Sequence, residues 1–286
     1  MTTGILVYAH NSRSLDYALM SLIAAGLAKK NLNVPVSLVT DPSTVEWMRE
    51  SNILEKATSV FENLIIVERP ITDNQRKLCD GKNESMVPFV NSNRASAYDL
   101  TPYNRTLLID SDYFIFSNRL SEYWNIDDDV LIGQSINDIY SGDRLGYNDR
   151  YISEVGIKLY WATTVMFSKT PRAKTFFDTV NFVKENYKHY ADIFRFDNRQ
   201  YRNDIAFSVA KHILDGFINL DSGRLPPVLT TLDKDILASV EDNKLTFLIS
   251  TPLGEKYIPA SITDTDIHIM NKQSIIRHGS QLLEMI

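Results

Sequence analysis

A chain of 286 residues, 44% hydrophobic and 23% charged, can bury a substantial core and lacks the charge excess of a disordered protein. Its net charge of −6 supplies no global basic field for nucleic acid or anionic lipid, and its one cysteine, Cys79, cannot form an internal disulfide that would need an oxidising compartment. The first residues lack the basic region of a signal peptide and no stretch reaches the ~18 apolar residues of a spanning helix, so the expectation is a cytoplasmic protein with no membrane insertion.

The first element is the apolar run over residues 5–9, closing on His10-Asn11-Ser12; without polar alternation it reads as a parallel strand buried on both faces. Leu15, Ala18, Leu19, Leu22, Ile23 and Gly26 recur at helical spacing with Ser14 placed to cap, and a second strand over 36–40 ends at Asp41. This strand-helix-strand opening predicts a parallel, nucleotide-binding type of sheet. A short helix over 43–50 and a third strand over 64–67 follow. Residues 68–91 are polar and broken by Pro70, Gly81 and Pro88, which reads as a long irregular loop of the functional or mobile kind. A helix over 92–100 precedes a fourth strand, 105–109, which delivers Asp110-Ser111-Asp112 ahead of an extended 113–116. Beyond it come a strand at 130–132, a polar segment over 137–158 carrying Tyr140, Tyr147 and Tyr151, and a strand within 159–167. Helices over 171–186 and 204–214, short strands that include Ile267-His268-Ile269, and a helix near 274–285 complete the chain. No repeat or linker interrupts it. The expected fold is α/β: one Rossmann-like domain over 1–286 with a mixed, mainly parallel central sheet flanked by helices.

Side chains at i and i+2 of an extended segment point the same way, so Asp110 and Asp112 are expected to project together beyond the carboxyl end of their strand, where open α/β sheets bind ligands. Two such carboxylates repel unless a cation lies between them. Mn²⁺ or Mg²⁺ suits the pair and commonly links it to phosphate, and the chemistry that fits is departure of a nucleoside diphosphate. Three residues alone equally describe an Asp-Ser-Asp turn; the buried strand before them and the apolar run after them favour the metal reading. On this picture Asp112→Asn relieves repulsion and leaves the fold intact.

The segment from Asn93-Arg94 through Tyr98 and Arg105 to Asp110-Ser111-Asp112 resembles the metal-binding segment of GT-A glycosyltransferases. It is most similar to family 8, which includes glycogenin and bacterial lipopolysaccharide galactosyltransferases. The likeness covers the order of elements over about residues 5–215 and is sharpest over 94–116. The resemblance implies a GT-A fold, with a nucleotide-binding half over 1–120 and an acceptor-binding half with C-terminal elements over 121–286. It implies metal-dependent transfer of a sugar from a nucleotide sugar, by analogy a UDP-sugar, to an acceptor hydroxyl, with retention of anomeric configuration. Arg94, at the start of its helix, would contact the donor as a fork of N–H groups.

Further site residues follow from the same likeness. His268 resembles the late histidine that completes the metal shell, and Lys272 is placed to meet the diphosphate, although the Gly and Lys-Pro-Trp that continue the family pattern are missing. Asp204, which capping alone would explain, stands where such enzymes place an acid that touches the donor sugar or deprotonates the acceptor; Ile205 replaces the Gln of the family pair. Ala162 and Thr164 replace the Asn and Gly of an acceptor-side motif. Ser111 belongs to the donor side, and His10, Asn11 and Asp41, each following a strand, are candidates to line the nucleoside pocket. A dehalogenase-type phosphatase would carry its aspartates after the first strand, and a sugar nucleotidyltransferase needs a glycine-rich first loop that Ala9-His10-Asn11-Ser12-Arg13 lacks. The alternative from another class is a non-catalytic nucleotide-sugar-binding protein. Residues 201–206 are similar to transferase-like proteins of tailed phages, which adds a hydroxymethylated DNA base to saccharides as an acceptor; the acidic net charge does not favour DNA.

Overall fold

The computed structural model describes residues 2–81, 83–141, 143–153, 156–197, 200–218, 224–252 and 256–286. Its centre is a seven-stranded sheet built from β1 (Thr3–Tyr8), β2 (Val36–Thr40), β3 (Asn63–Ile66), β4 (Arg105–Ile109), β5 (Val130–Gly133), β6 (Trp161–Ser168) and β7 (Arg224–Leu225). Across the sheet the order is β7-β5-β6-β4-β1-β2-β3. All neighbours pair in parallel except β6, which runs antiparallel to both β4 and β5. The fold is therefore mixed α/β with a mainly parallel central sheet flanked by helices, as expected. The central strands β2 and β4 are buried at every residue, which accounts for the apolar residues that dominate them; the exception is Arg105 at the start of β4, buried on backbone carbonyls of Tyr123, Ile126 and Asp128.

Helix α1 (Tyr17–Leu32) is buried nearly all round, and Gly26 lets it pass the C-terminal Ile286, whose side chain would lie 2.5 Å from an added Cβ. Its cap is Asp16, which accepts from Leu19 N (2.9 Å), rather than Ser14. Two helices were not legible in the sequence, Leu54–Val60 and Tyr187–Phe194, each too short to show a periodic pattern. The final helix is two, Lys272–Arg277 and Gly279–Glu284; Gly279 sits where a Cβ would meet Leu19 at 2.7 Å.

The largest departure from expectation lies within 68–91. Instead of an irregular loop, Gln75–Asp80 and Asn83–Pro88 form an antiparallel hairpin, turning at Gly81 with φ +62°. A second, four-stranded sheet joins Tyr113–Phe114, Ile267–His268, Val228–Thr230 and Ile136–Asp138 in that order. An antiparallel three-stranded sheet, Ile236–Glu241, Lys244–Ser250 and Tyr257–Thr263, completes the architecture. No helix of the described residues is long and apolar enough to cross a membrane.

Candidate active site

The site begins where β4 ends. Asp110 N donates to Thr163 O on β6 (3.0 Å), and Tyr113 N then bonds Asp110 O (3.2 Å), closing a turn over residues 110–113. The two carboxylates thus converge through a turn and not, as expected from strand alternation, by projecting from an extended segment. The turn also delivers Tyr113–Phe114 to the second sheet, where His268 stands in register with Tyr113 and Ile269 N bonds Asp112 O (2.9 Å). One antiparallel pairing thereby brings a histidine from late in the chain onto Asp112, with Nε2 3.3 Å from Oδ1. Three residues further on, Asn271 caps the short helix that starts at Lys272, whose ammonium pairs with Asp112 Oδ2.

Asp110, Asp112 and His268 each offer a ligand atom, and these atoms lie within 4.8 Å of one another. Atoms sharing one ion at ~2.1 Å lie no more than ~4.2 Å apart, so a small approach of these side chains would let all three hold one cation. Two carboxylate oxygens and an imidazole nitrogen are a donor set suited to Mn²⁺ or Mg²⁺, and His268 presents Nε2 while its Nδ1 is buried without a partner. The residues present therefore fit such an ion. Burial pushes the Asp112 carboxyl up, but Lys272 and His268 outweigh it and hold the group well below the ordinary range. Asp110 goes the other way: burial and the neighbouring Asp112 charge lift it against the pull of Arg94.

Arg94 opens a 3-10 turn, Arg94–Ser96, that runs into the single α-turn Ala97–Leu100; together they replace the longer helix expected over 92–100. Its side chain is 4% exposed and its Nη1 lies 2.8 Å from Asp110 Oδ1, while Nε and Nη2 are buried with no acceptor. The guanidinium carbon lies 5.9 Å from the ring centre of Phe207.

These groups line one cleft of about 380 Å³ at the carboxyl end of β4, which also takes in Ser111, Trp161, Tyr201, Asn203 and Asp204. Asp204 occupies the first turn of α2 (Asn203–Leu214), where its Oδ1 accepts from Ile205 N (3.0 Å); Arg202 grips both its oxygens, Nε to Oδ1 at 3.1 Å. Tyr201 Oη and Asn203 Oδ1 are buried without partners. The cleft thus collects several unsatisfied donors and acceptors, which native interiors rarely leave so unless a ligand or water completes them.

The structure does not bring His10, Asn11 and Asp41 into this cleft. His10 Nδ1 bonds Asp41 Oδ2 (2.8 Å), Asn11 Oδ1 accepts from Ala18 N (2.6 Å), and Asp41 caps the helix Pro42–Glu50 through Ser43 and Thr44. Arg69 seals the corner, with contacts to Asp41 (3.3 Å), Ser43 and the Asn11 carbonyl. Asn11 and Asp41 spend their bonds on local structure, while His10 Nε2 stays buried without a partner among the described residues. Tyr147 and Tyr151 stack on each other at 4.7 Å and, like Tyr140, do not line the cleft. Sequence reasoning missed Arg76, on the hairpin, and Asp233, which both line it. The polar composition of Gln75–Asp80 carries no apolar alternation that would have marked Arg76 in the sequence.

No protein-family model and no curated protein matches the sequence. Among solved structures the chain is similar to an active-site mutant of LgtC, with 12% identity over 80% of this chain and 72% of that one, at a TM-score of 0.46. The galactosyltransferase LgtC in complex with donor and acceptor sugar analogues shares 13% identity over 80% and 73% of the two chains, at 0.45. The apo-form glycosyltransferase GlyE of Streptococcus pneumoniae TIGR4 shares 11% over 79% and 45%, at 0.40.

Proposed function

We propose that this chain is a metal-dependent glycosyltransferase of the GT-A type, moving a sugar from a nucleotide sugar, a UDP-sugar, to an acceptor hydroxyl. The observation that carries the reading is the convergence of Asp110, Asp112 and His268 within 4.8 Å, beside an arginine with two unpaired buried nitrogens. Residues 1–120 form the nucleotide side of one catalytic unit and 121–286 the acceptor side, with His268 and Lys272 reaching back from the second half.

In this reading Asp110, Asp112 and His268 hold Mn²⁺ or Mg²⁺, which supplies neutralisation of the charge on a departing diphosphate. Arg94, fixed by Asp110 and by Phe207, turns its remaining N–H groups to donor oxygens as a rigid fork. Lys272 balances Asp112 in the free protein and adds positive charge on the phosphate side. Asp204 is oriented by Arg202 and faces the reacting sugar, where Tyr201 and Asn203 offer further hydrogen bonds. The acceptor is a saccharide; the chain's net charge of −6 does not favour DNA.

The test is a panel of nucleotide sugars in a thermal-shift assay with Mn²⁺, followed by measurement of released nucleoside diphosphate. Stabilisation and slow hydrolysis, both abolished by chelator, are expected. Stabilisation without any turnover would turn the reading to a binding protein, and neither effect with any donor would end it. Product-anomer NMR reads the stereochemistry, retention being expected.

A further inference from the structure

Five cationic side chains line the cleft, and four of them, Lys77, Arg94, Arg202 and Lys272, form ion pairs with carboxylates. Arg76 has none. Its Nη1 donates to Tyr17 Oη (3.3 Å), its guanidinium carbon lies 5.4 Å from the ring centre of Phe89, and its Nε is buried without an acceptor. Arg76, Asp112 and Asp233 line the same cleft, and both carboxylates act on the Arg76 charge through space. A guanidinium held by two aromatic neighbours, with a buried N–H that has no acceptor and no carboxylate in direct contact among the described residues, keeps donors free for an anion in the cleft. The hairpin that carries it is tied to the helix that carries Lys272: Asp80 accepts both terminal nitrogens of Arg277, at 2.6 and 2.9 Å. The two cations therefore sit on elements joined by an ion pair.

We infer that Arg76 is a phosphate anchor, a cation on the hairpin wall of the cleft that grips the same oxyanion as Lys272 and Arg94 on the sheet wall. A forked donor matches the oxygens of a phosphate better than it matches a neutral sugar or base. The inference rests on the proposed function only in expecting a diphosphate at this site, and its test does not require turnover.

Isothermal titration with Mn²⁺–pyrophosphate and with Mn²⁺–UDP is compared for the wild-type chain, Arg76→Gln and Arg76→Lys. Arg76→Gln is expected to weaken both ligands ~10–100-fold with an unchanged melting temperature, as loss of a charge-assisted hydrogen bond does. Arg76→Lys, which keeps the charge and loses the fork, is expected to fall between, and it carries the test alone if the glutamine variant does not fold. Unchanged pyrophosphate affinity in both variants overturns the assignment, and so does a loss confined to UDP, which would place Arg76 on the nucleoside. Pyrophosphate binding that depends on Arg76, in a protein that hydrolyses no nucleotide sugar, would uphold Arg76 and remove the glycosyltransferase reading instead.

Discussion

Asp112 shows how a single residue's surroundings reverse an argument made from its neighbours in sequence. Read beside Asp110 alone, it is half of a repelling pair, and an asparagine there should be harmless. In the fold it is 4% exposed and sits between Lys272, itself 3% exposed, and His268. Asp112→Asn therefore strands a buried ammonium, and removing one partner of such a pair typically costs ~3–5 kcal/mol. We expect the variant to melt markedly lower in scanning calorimetry even without any ligand. Adding Lys272→Met should recover most of the loss, since a buried pair replaced by apolar volume is often neutral. An Asp112→Asn protein that melts with the wild type would mean the Lys272 contact carries no weight. Metal dependence must consequently be judged from variants matched for stability.

Elements differ in how plainly the sequence shows them, and the reason is which faces they bury. Strands β2 and β4 are covered on both sides and show through their apolar residues, Val36, Leu38 and Val39 in one and Leu107, Leu108 and Ile109 in the other, as does most of β1. The same two-sided burial hides direction: β6 reads like its neighbours yet runs against them, because a continuous apolar run has no polarity. The hairpin over residues 75–88 buries little beyond Cys79 and Val87, so no apolar alternation marks it and its polar residues suggested a loop. Of the site, Asp110 and Asp112 were legible at once, whereas their meeting with His268 depends on a strand pairing between segments far apart in the chain. Arg144 illustrates what no local reading reaches. From the polar stretch over 137–158 it joins the edge strand Ile136–Asp138 to the three-stranded sheet, bonding Asp138 (2.6 Å), Asp235 (2.7 Å) and the Ser250 carbonyl (2.8 Å). Both carboxylates are 1% exposed or less, so Arg144→Leu leaves two buried charges unmatched. A loss of about 4 kcal/mol is expected, seen as a lower denaturation midpoint with an unchanged slope. A midpoint within error of wild type would show that the two sheets hold together by apolar packing alone.

At the scale of the molecule, the corner behind the cleft should set how it responds to acid. Asp41 is fully buried; burial pushes its carboxyl up, but Ser43, His10 and Thr44 outweigh this and hold it at about 2, below its ordinary 3.8. Such a depressed carboxyl stabilises the folded chain fully above the unfolded value, and the contribution disappears as pH falls from about 4 through about 2. A shift of this size corresponds to about 2 kcal/mol. His10 adds to the same trend from higher pH. Burial, only partly opposed by Asp41, keeps its imidazole below 6.5, so the unfolded chain takes up a proton first and stability starts to decline as pH drops past that value. Asp41→Asn keeps a side chain able to cap the helix Pro42–Glu50 but removes the charge. Its melting temperature should lie below wild type at pH 7, with a gap that narrows steadily below pH 4 and closes near pH 2. A gap of constant size from pH 7 to pH 2 would mean that the carboxylate's charge is not what steadies this corner, and that its hydrogen bonds to Ser43 and Thr44 suffice in either protonation state.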